Sequence, residues 1–230
     1  MKTPFAGFPE EGIAFLRALK KHNRREWFQP RKELFSQQVL RPMVELVEAI
    51  QRGLLAFAPD YAHGDPRKAV YRIYRDTRFS PDKTPYKTHI AASLTRAGLD
   101  KGSSPGIYFS VGPDEIETGG GWYLPQPPQV LSVRNAIAAE PARFRRIVEA
   151  RELTKRFGGL QGARLTRPPK GFPPDHPAAE YLKFKQFFVY TTLEPSLAVT
   201  PRLYTELMAH IRAMLPLVDF LSEAAGAGRA

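Results

Sequence analysis

The stretch "GIYFSVGPDEIETGGG", residues 106–121, decides the fold class. Ile107, Phe109 and Val111 alternate with Tyr108 and Ser110, the period of a half-buried strand. "GPDE" supplies a turn, and "IET" returns antiparallel before three glycines end the hairpin. Upstream, "THIAASL" alternates in the same way through Ile90, Ala92 and Leu94, and "ARLTR" and "FFVYTTL" add late strands.

Helical spacing surrounds these strands. Pro9 with Glu10 and Glu11 opens a helix whose Phe15, Leu16 and Leu19 share one face. Asn23 and Glu26 form a capping-box pattern for a second helix that runs to about Leu54, with Pro42 expected to kink or split it. "PPQVLSVRNAIAAE" and "PARFRRIVEARELTKRF" are further helices, Pro177 starts a short one, and "PRLYTELMAHIRAMLPLVDFL" closes the chain, broken at Pro216. The fold class is therefore α+β, with a mostly antiparallel central sheet flanked by N-terminal and C-terminal helices. A single domain over 1–221 and a frayed tail over 222–230 are expected at a length of 230 residues.

Composition narrows the chemistry. No apolar run reaches the roughly 20 residues that span a bilayer, so no membrane partner is expected. The opening "MKTPFAGFPEEGIAFL" carries acidic residues where an export signal carries an apolar block, so the cytoplasm is the expected location. The absence of cysteine excludes disulfides, thiolate nucleophiles and cysteine zinc sites. His22, His63, His89, His176 and His210 include no helical i, i+4 pair, and neither a metal nor a cofactor is expected. "GSSPG" at 102–106 imitates a hydrolase nucleophile elbow, but Pro105 lacks the N–H that an oxyanion hole needs there. The glycines of "TGGGWYLP" are read as letting the hairpin bend around Trp122, and Asp175 or His176 as capping the helix begun by Pro177.

The net charge of +11 is concentrated. Arg67, Lys68, Arg72, Arg75, Arg78, Lys83 and Lys87 face only Asp76 and Asp82 in residues 67–87. Within "YRIYRDTRFSPDKTPYK", residues 71–87, a strand puts Tyr71 and Ile73 on one face and Arg72, Tyr74 and Asp76 on the other. The loop that follows is stiffened by Pro81 and Pro85. Arginine forks and lysine point charges bind carboxylate and phosphate, and two carboxylates cannot neutralise so many cations. The expected site binds the anion through Arg72, Arg75, Arg78, Lys83 and Lys87. Asp76 orients a guanidinium, Tyr74 and Tyr86 give hydroxyls, and Trp122 forms a wall. A small anionic molecule is the expected partner, with an enzymatic role left open. A nucleic acid on a broad basic face, extended by the arginines of 143–156 and 164–170, is the alternative, as is an acidic protein.

Arg72, Arg75-Asp76, Arg78-Phe79, Asp82-Lys83 and Pro85-Tyr86-Lys87, with "FLRALKKHNRREWF", "GGGWYLP", "LSVRNAI" and "GFPPDHPAAEYLK", resemble a family of bacterial and fungal proteins catalogued as domain of unknown function twenty-four sixty-one. The resemblance implies one domain of about this length and singles out the charged segment. It implies no activity.

Overall fold

The computed structural model describes residues 4–227. Five helices come first: α1 (Glu10–Lys21), α2 (Arg25–Phe28), α3 (Lys32–Phe35), α4 (Arg41–Leu54) and α5 (Pro66–Ala69). Four strands follow, β1 (Ile90–Thr95), β2 (Gly106–Val111), β3 (Ile116–Trp122) and β4 (Phe187–Leu193), in one antiparallel sheet ordered β1-β2-β3-β4. The long β3–β4 connection carries α6 (Pro127–Ala139), α7 (Pro141–Val148), α8 (Arg151–Phe157) and α9 (Ala179–Leu182), and α10 (Arg202–Ala227) ends the fold. The fold class is α+β, as the periodicities require. No helix among the described residues is long and apolar enough to cross a membrane.

Where one domain is expected, the chain divides into two compact units. The first comprises residues up to Leu94, Tyr108–Thr118 and Thr192–Met208; the second comprises Thr95–Ile107, Gly119–Thr191 and the chain from Ala209.

In the first unit, α1 buries Ile13, Phe15, Leu16 and Leu19. The second helix of the sequence reading is an interrupted helical path. Gln29–Arg31 tightens to a 3-10 turn at Pro30, and Ser36–Leu40 widens to a π turn before α4. Pro42 explains the widening, because it has no N–H to give the Gln38 carbonyl and its ring crowds that carbonyl. Gly12 of α1 packs onto that carbonyl, so closely that a Cβ at Gly12 would stand 2.1 Å from the oxygen.

In the second unit the glycines do not end the hairpin, because β3 continues through them to Trp122. They serve close packing. A Cβ at Gly119 would stand 2.5 Å from the Val189 carbonyl oxygen, and one at Gly120 the same distance from Met214 Sδ. Gly121 also has φ +124°, where a side chain is strained. "ARLTR" reaches the edge only through the isolated bridge of Arg164 to Phe184. "PARFRRIVEARELTKRF" is two helices, α7 and α8, instead of one. The helix expected to begin at Pro177 begins at Ala179 and has no side-chain cap; His176 Nδ1 instead accepts the Ala178 N–H at 3.0 Å in the turn before it.

Two expectations for the C-terminus fail. α10 runs unbroken through Pro216, and residues 222–227 of the expected tail are its last turns. Ile211, Met214, Leu217, Val218 and Leu221 are all buried while Pro216 is exposed. Burial of this stripe outweighs the roughly 3 kcal/mol that an interior proline costs a helix. The Ser132 hydroxyl donates to the Ala224 carbonyl at 2.6 Å, tying down the last turns. The rest of the expected tail, 228–230, lies outside the described residues.

Candidate functional site

The charged segment is one side of an antiparallel ribbon in the first unit. Val70 pairs with Ala92 and Tyr74 with Tyr86. Arg75 N–H donates to the Pro85 carbonyl at 2.9 Å and Lys87 N–H to the Ile73 carbonyl at 2.8 Å. From Val70 to Tyr74 is four steps, but from Tyr86 to Ala92 is six. The second side therefore carries two extra residues, a bulge around Thr88 and His89. Ile73 is buried and Arg72, Tyr74 and Asp76 are exposed, the alternation expected of a strand.

Asn23 holds this ribbon in place. Its side-chain amide donates to the Tyr86 carbonyl at 2.8 Å and accepts the Tyr86 N–H at 3.0 Å, as a neighbouring strand would. The capping role expected for Asn23 is therefore corrected: α2 starts after Arg24 without a side-chain cap. The Tyr86 ring is buried, stacked on Phe28 at 4.1 Å and 5.4 Å from the Tyr74 ring. Its hydroxyl is buried near Gln29, but no hydrogen bond of ordinary geometry reaches it. Burial first, then the Tyr74 neighbour, raises the Tyr86 hydroxyl above the usual tyrosine value. Tyr86 is thus a core anchor.

The loop after Arg75 braces itself. Arg78 forks onto Asp76, Nε to Oδ1 at 3.0 Å and a terminal nitrogen to Oδ2 at 2.7 Å. Arg75 donates to Asp82 and to the Thr84 hydroxyl, and Asp82 also accepts the Thr84 N–H at 2.9 Å. Lys83 Nζ donates to the Thr77 carbonyl at 2.9 Å. Phe79, at the loop's tip, is 93% exposed. The Arg78 hydrogen bonds hold Asp76 down at about 2, and those from Arg75 and Thr84 do the same for Asp82. Both carboxyls are thus lower folded than in an unfolded chain, near 3.9. Their contribution is present above about pH 4 and lost as pH falls toward 2. Carboxyl carbon resonances of Asp76 and Asp82 should titrate near 2; midpoints near 3.9 would mean that the loop's ion pairs do not persist in solution.

Beside this brace lies a hollow of about 380 Å³, lined by Lys20, Asn23, Arg75, Asp82, Thr84, Tyr86, Lys87, Thr88 and His89. Its charges are mostly committed. Lys20 pairs with Asp114 at 2.7 Å, and Arg75 pairs with Asp82. Lys87 is different. Its ammonium sits 5.2 Å from the Tyr71 ring centroid, with no carboxylate partner among the described residues. Burial first, then the Arg72 guanidinium, lowers its pKa. His89, also partly buried, makes no hydrogen bond among the described residues. Burial leads in lowering its pKa, Glu117 opposes, and Lys87 adds to the lowering.

Of the nine residues expected at the site, Arg75, Tyr86 and Lys87 line this hollow. Asp76, Arg78 and Lys83 belong to the loop's own bonding, while Arg72 and Tyr74 are exposed on the ribbon. Trp122 lies in the second unit, 3% exposed, its indole N–H donating to the Ser103 carbonyl at 3.2 Å. It is not among the lining residues. Lys20, Asn23, Thr84, Thr88 and His89 escaped the sequence reading. Lys20 and Asn23 are remote in sequence, and only the two extra residues on one side of the ribbon betray the bulge that carries Thr88 and His89.

A polar cluster adjoins on the sheet. Ser110 donates to Glu117 at 2.6 Å and Tyr108 to the same oxygen at 3.2 Å, while the Tyr71 and Ser93 hydroxyls are 2.9 Å apart. Burial drives Tyr108 well above the usual tyrosine range, so it stays a hydroxyl donor. Among the described residues, no group of three histidine or acidic side chains could hold a metal ion.

The charged ribbon and the glycine-rich β3 both fall within the stretch that matches one protein family. The chain belongs to the family described as Conserved hypothetical protein (DUF2461), which it matches over residues 11–220. No curated protein and no solved structure matches it.

Proposed function

We propose that the hollow of the first unit binds a small ligand through a phosphate or carboxylate group seated at Lys87. One observation carries this reading: a partly buried ammonium, next to a guanidinium, has no carboxylate partner among the described residues. Burying a cation without a partner costs free energy that an anion restores. A small ligand is favoured over nucleic acid because Lys87 is partly buried in a hollow, while three of the seven arginines expected on the basic face are held in ion pairs. Arg143 pairs with Glu140 and Glu223, Arg145 with Glu149, and Arg156 with Glu152.

Phosphate should raise the melting temperature more than chloride at equal ionic strength, by on the order of 5 °C at about 100 times its Kd. Lys87→Ala should remove this increment, while Arg78→Ala, on the exposed loop, should keep it. A neutral excluded osmolyte run in parallel separates binding from general stabilisation. An increment equal in wild type and Lys87→Ala, or none in wild type, overturns the reading.

A further inference from the structure

We propose that His89 fits the hollow to a doubly charged head group, such as a phosphate monoester, by taking up one proton as that group binds beside Lys87. This rests on the anion-binding reading of the same hollow and goes beyond it by naming the ligand's charge.

The argument is one of charge supply. A dianion needs two positive charges close by. Lys87 provides one. Lys20 and Arg75 also line the hollow, but Asp114 and Asp82 already occupy them. His89 is the remaining lining group that can become positive. Its place on the bulge, two residues from Lys87, keeps it off the ribbon's hydrogen-bond ladder. It packs against the β2–β3 turn, where a Cβ at Gly112 would stand 3.5 Å from His89 Cβ. The charged groups that act on it are Lys87 on the ribbon, which opposes protonation, and Glu115 and Glu117 on the turn and β3, which favour it. Burial and Lys87 keep the empty site's imidazole neutral near pH 7. A dianion beside Lys87 cancels that repulsion and adds attraction, so the imidazole of the occupied site holds its proton to higher pH. Affinity for the dianion therefore rises as pH falls between the two values. A monoanion, satisfied by Lys87 alone, gains little.

The test is calorimetric titration of the full chain with sulfate and with formate, neither of which titrates between pH 6 and 8. Two buffers of different ionisation enthalpy report proton uptake. Sulfate affinity should rise roughly several-fold from pH 8 to pH 6, with protons taken up, and formate affinity should stay level. In His89→Gln the sulfate rise and the proton uptake should both disappear. Should that variant not fold, the His89 ring resonance of wild type serves instead, its titration midpoint moving upward in sulfate. Sulfate binding with no pH dependence, or a His89 midpoint unmoved by sulfate, overturns the His89 proposal and leaves the anion site standing. No binding of either anion at any pH overturns both.

Discussion

Gly12→Ala is expected to destabilise the protein by about 3 kcal/mol or more, the upper range for overpacking. The added Cβ would stand 2.1 Å from the Gln38 carbonyl oxygen, a backbone atom that no rotamer change can move. Helix propensity alone argues the other way, since alanine exceeds glycine by about 1 kcal/mol inside a helix. The sign of the effect therefore decides between local propensity and packing. Pro42 enters the same argument: without its N–H, the Gln38 carbonyl sits in a widened turn, and α1 comes close enough to demand glycine. Urea unfolding checks this, with a midpoint shifted down at unchanged slope. A variant as stable as wild type would mean that α1 does not rest on the π turn.

Asn23→Ala should cost about 3 kcal/mol, because it removes two hydrogen bonds and leaves both backbone groups of Tyr86 without a protein partner. The informative companion is Asn23→Asp. A helix cap accepts aspartate as readily as asparagine. The clamp does not, because a carboxylate can accept the Tyr86 N–H but cannot donate to the Tyr86 carbonyl, and it repels that oxygen. Asn23→Asp should therefore remain destabilised by more than 1 kcal/mol or so. It should also weaken anion binding, since Asn23 and Tyr86 both line the hollow. Full stability in Asn23→Asp would restore the capping interpretation.

The strands were legible because each buries one side: "FFVYTTL" is β4 residue for residue, and Ile107, Phe109 and Val111 are all buried. Local punctuation misled where packing overrode it. Pro216 reads as a break, yet the buried stripe on either side of it holds α10 together. The three glycines read as a hairpin end, yet they are strand residues thinned to let β4 and α10 approach. Of the nine residues that line the hollow, the sequence pointed to three, Arg75, Tyr86 and Lys87. Charge concentration pointed to residues 71–87, but Arg78 and Lys83 spend their donors within the loop. Lys20, Asn23 and His89 come to the hollow through the α1–α2 corner and a bulge, and neither has a signature in residue type. Asn23 shows the limit well. The same side chain satisfies a helix end or a strand edge, and only the tertiary fold says which.

The central claim, an anion site at Lys87, is tested most directly by following backbone and lysine side-chain resonances while phosphate is added. The expected result is saturable shifts at Lys20, Thr84, Lys87, Thr88 and His89, absent in Lys87→Ala. Small, unsaturating shifts spread over Arg78, Lys83 and the arginines of α7 and α8 would contradict it, leaving the charged segment a brace with only a diffuse attraction for anions.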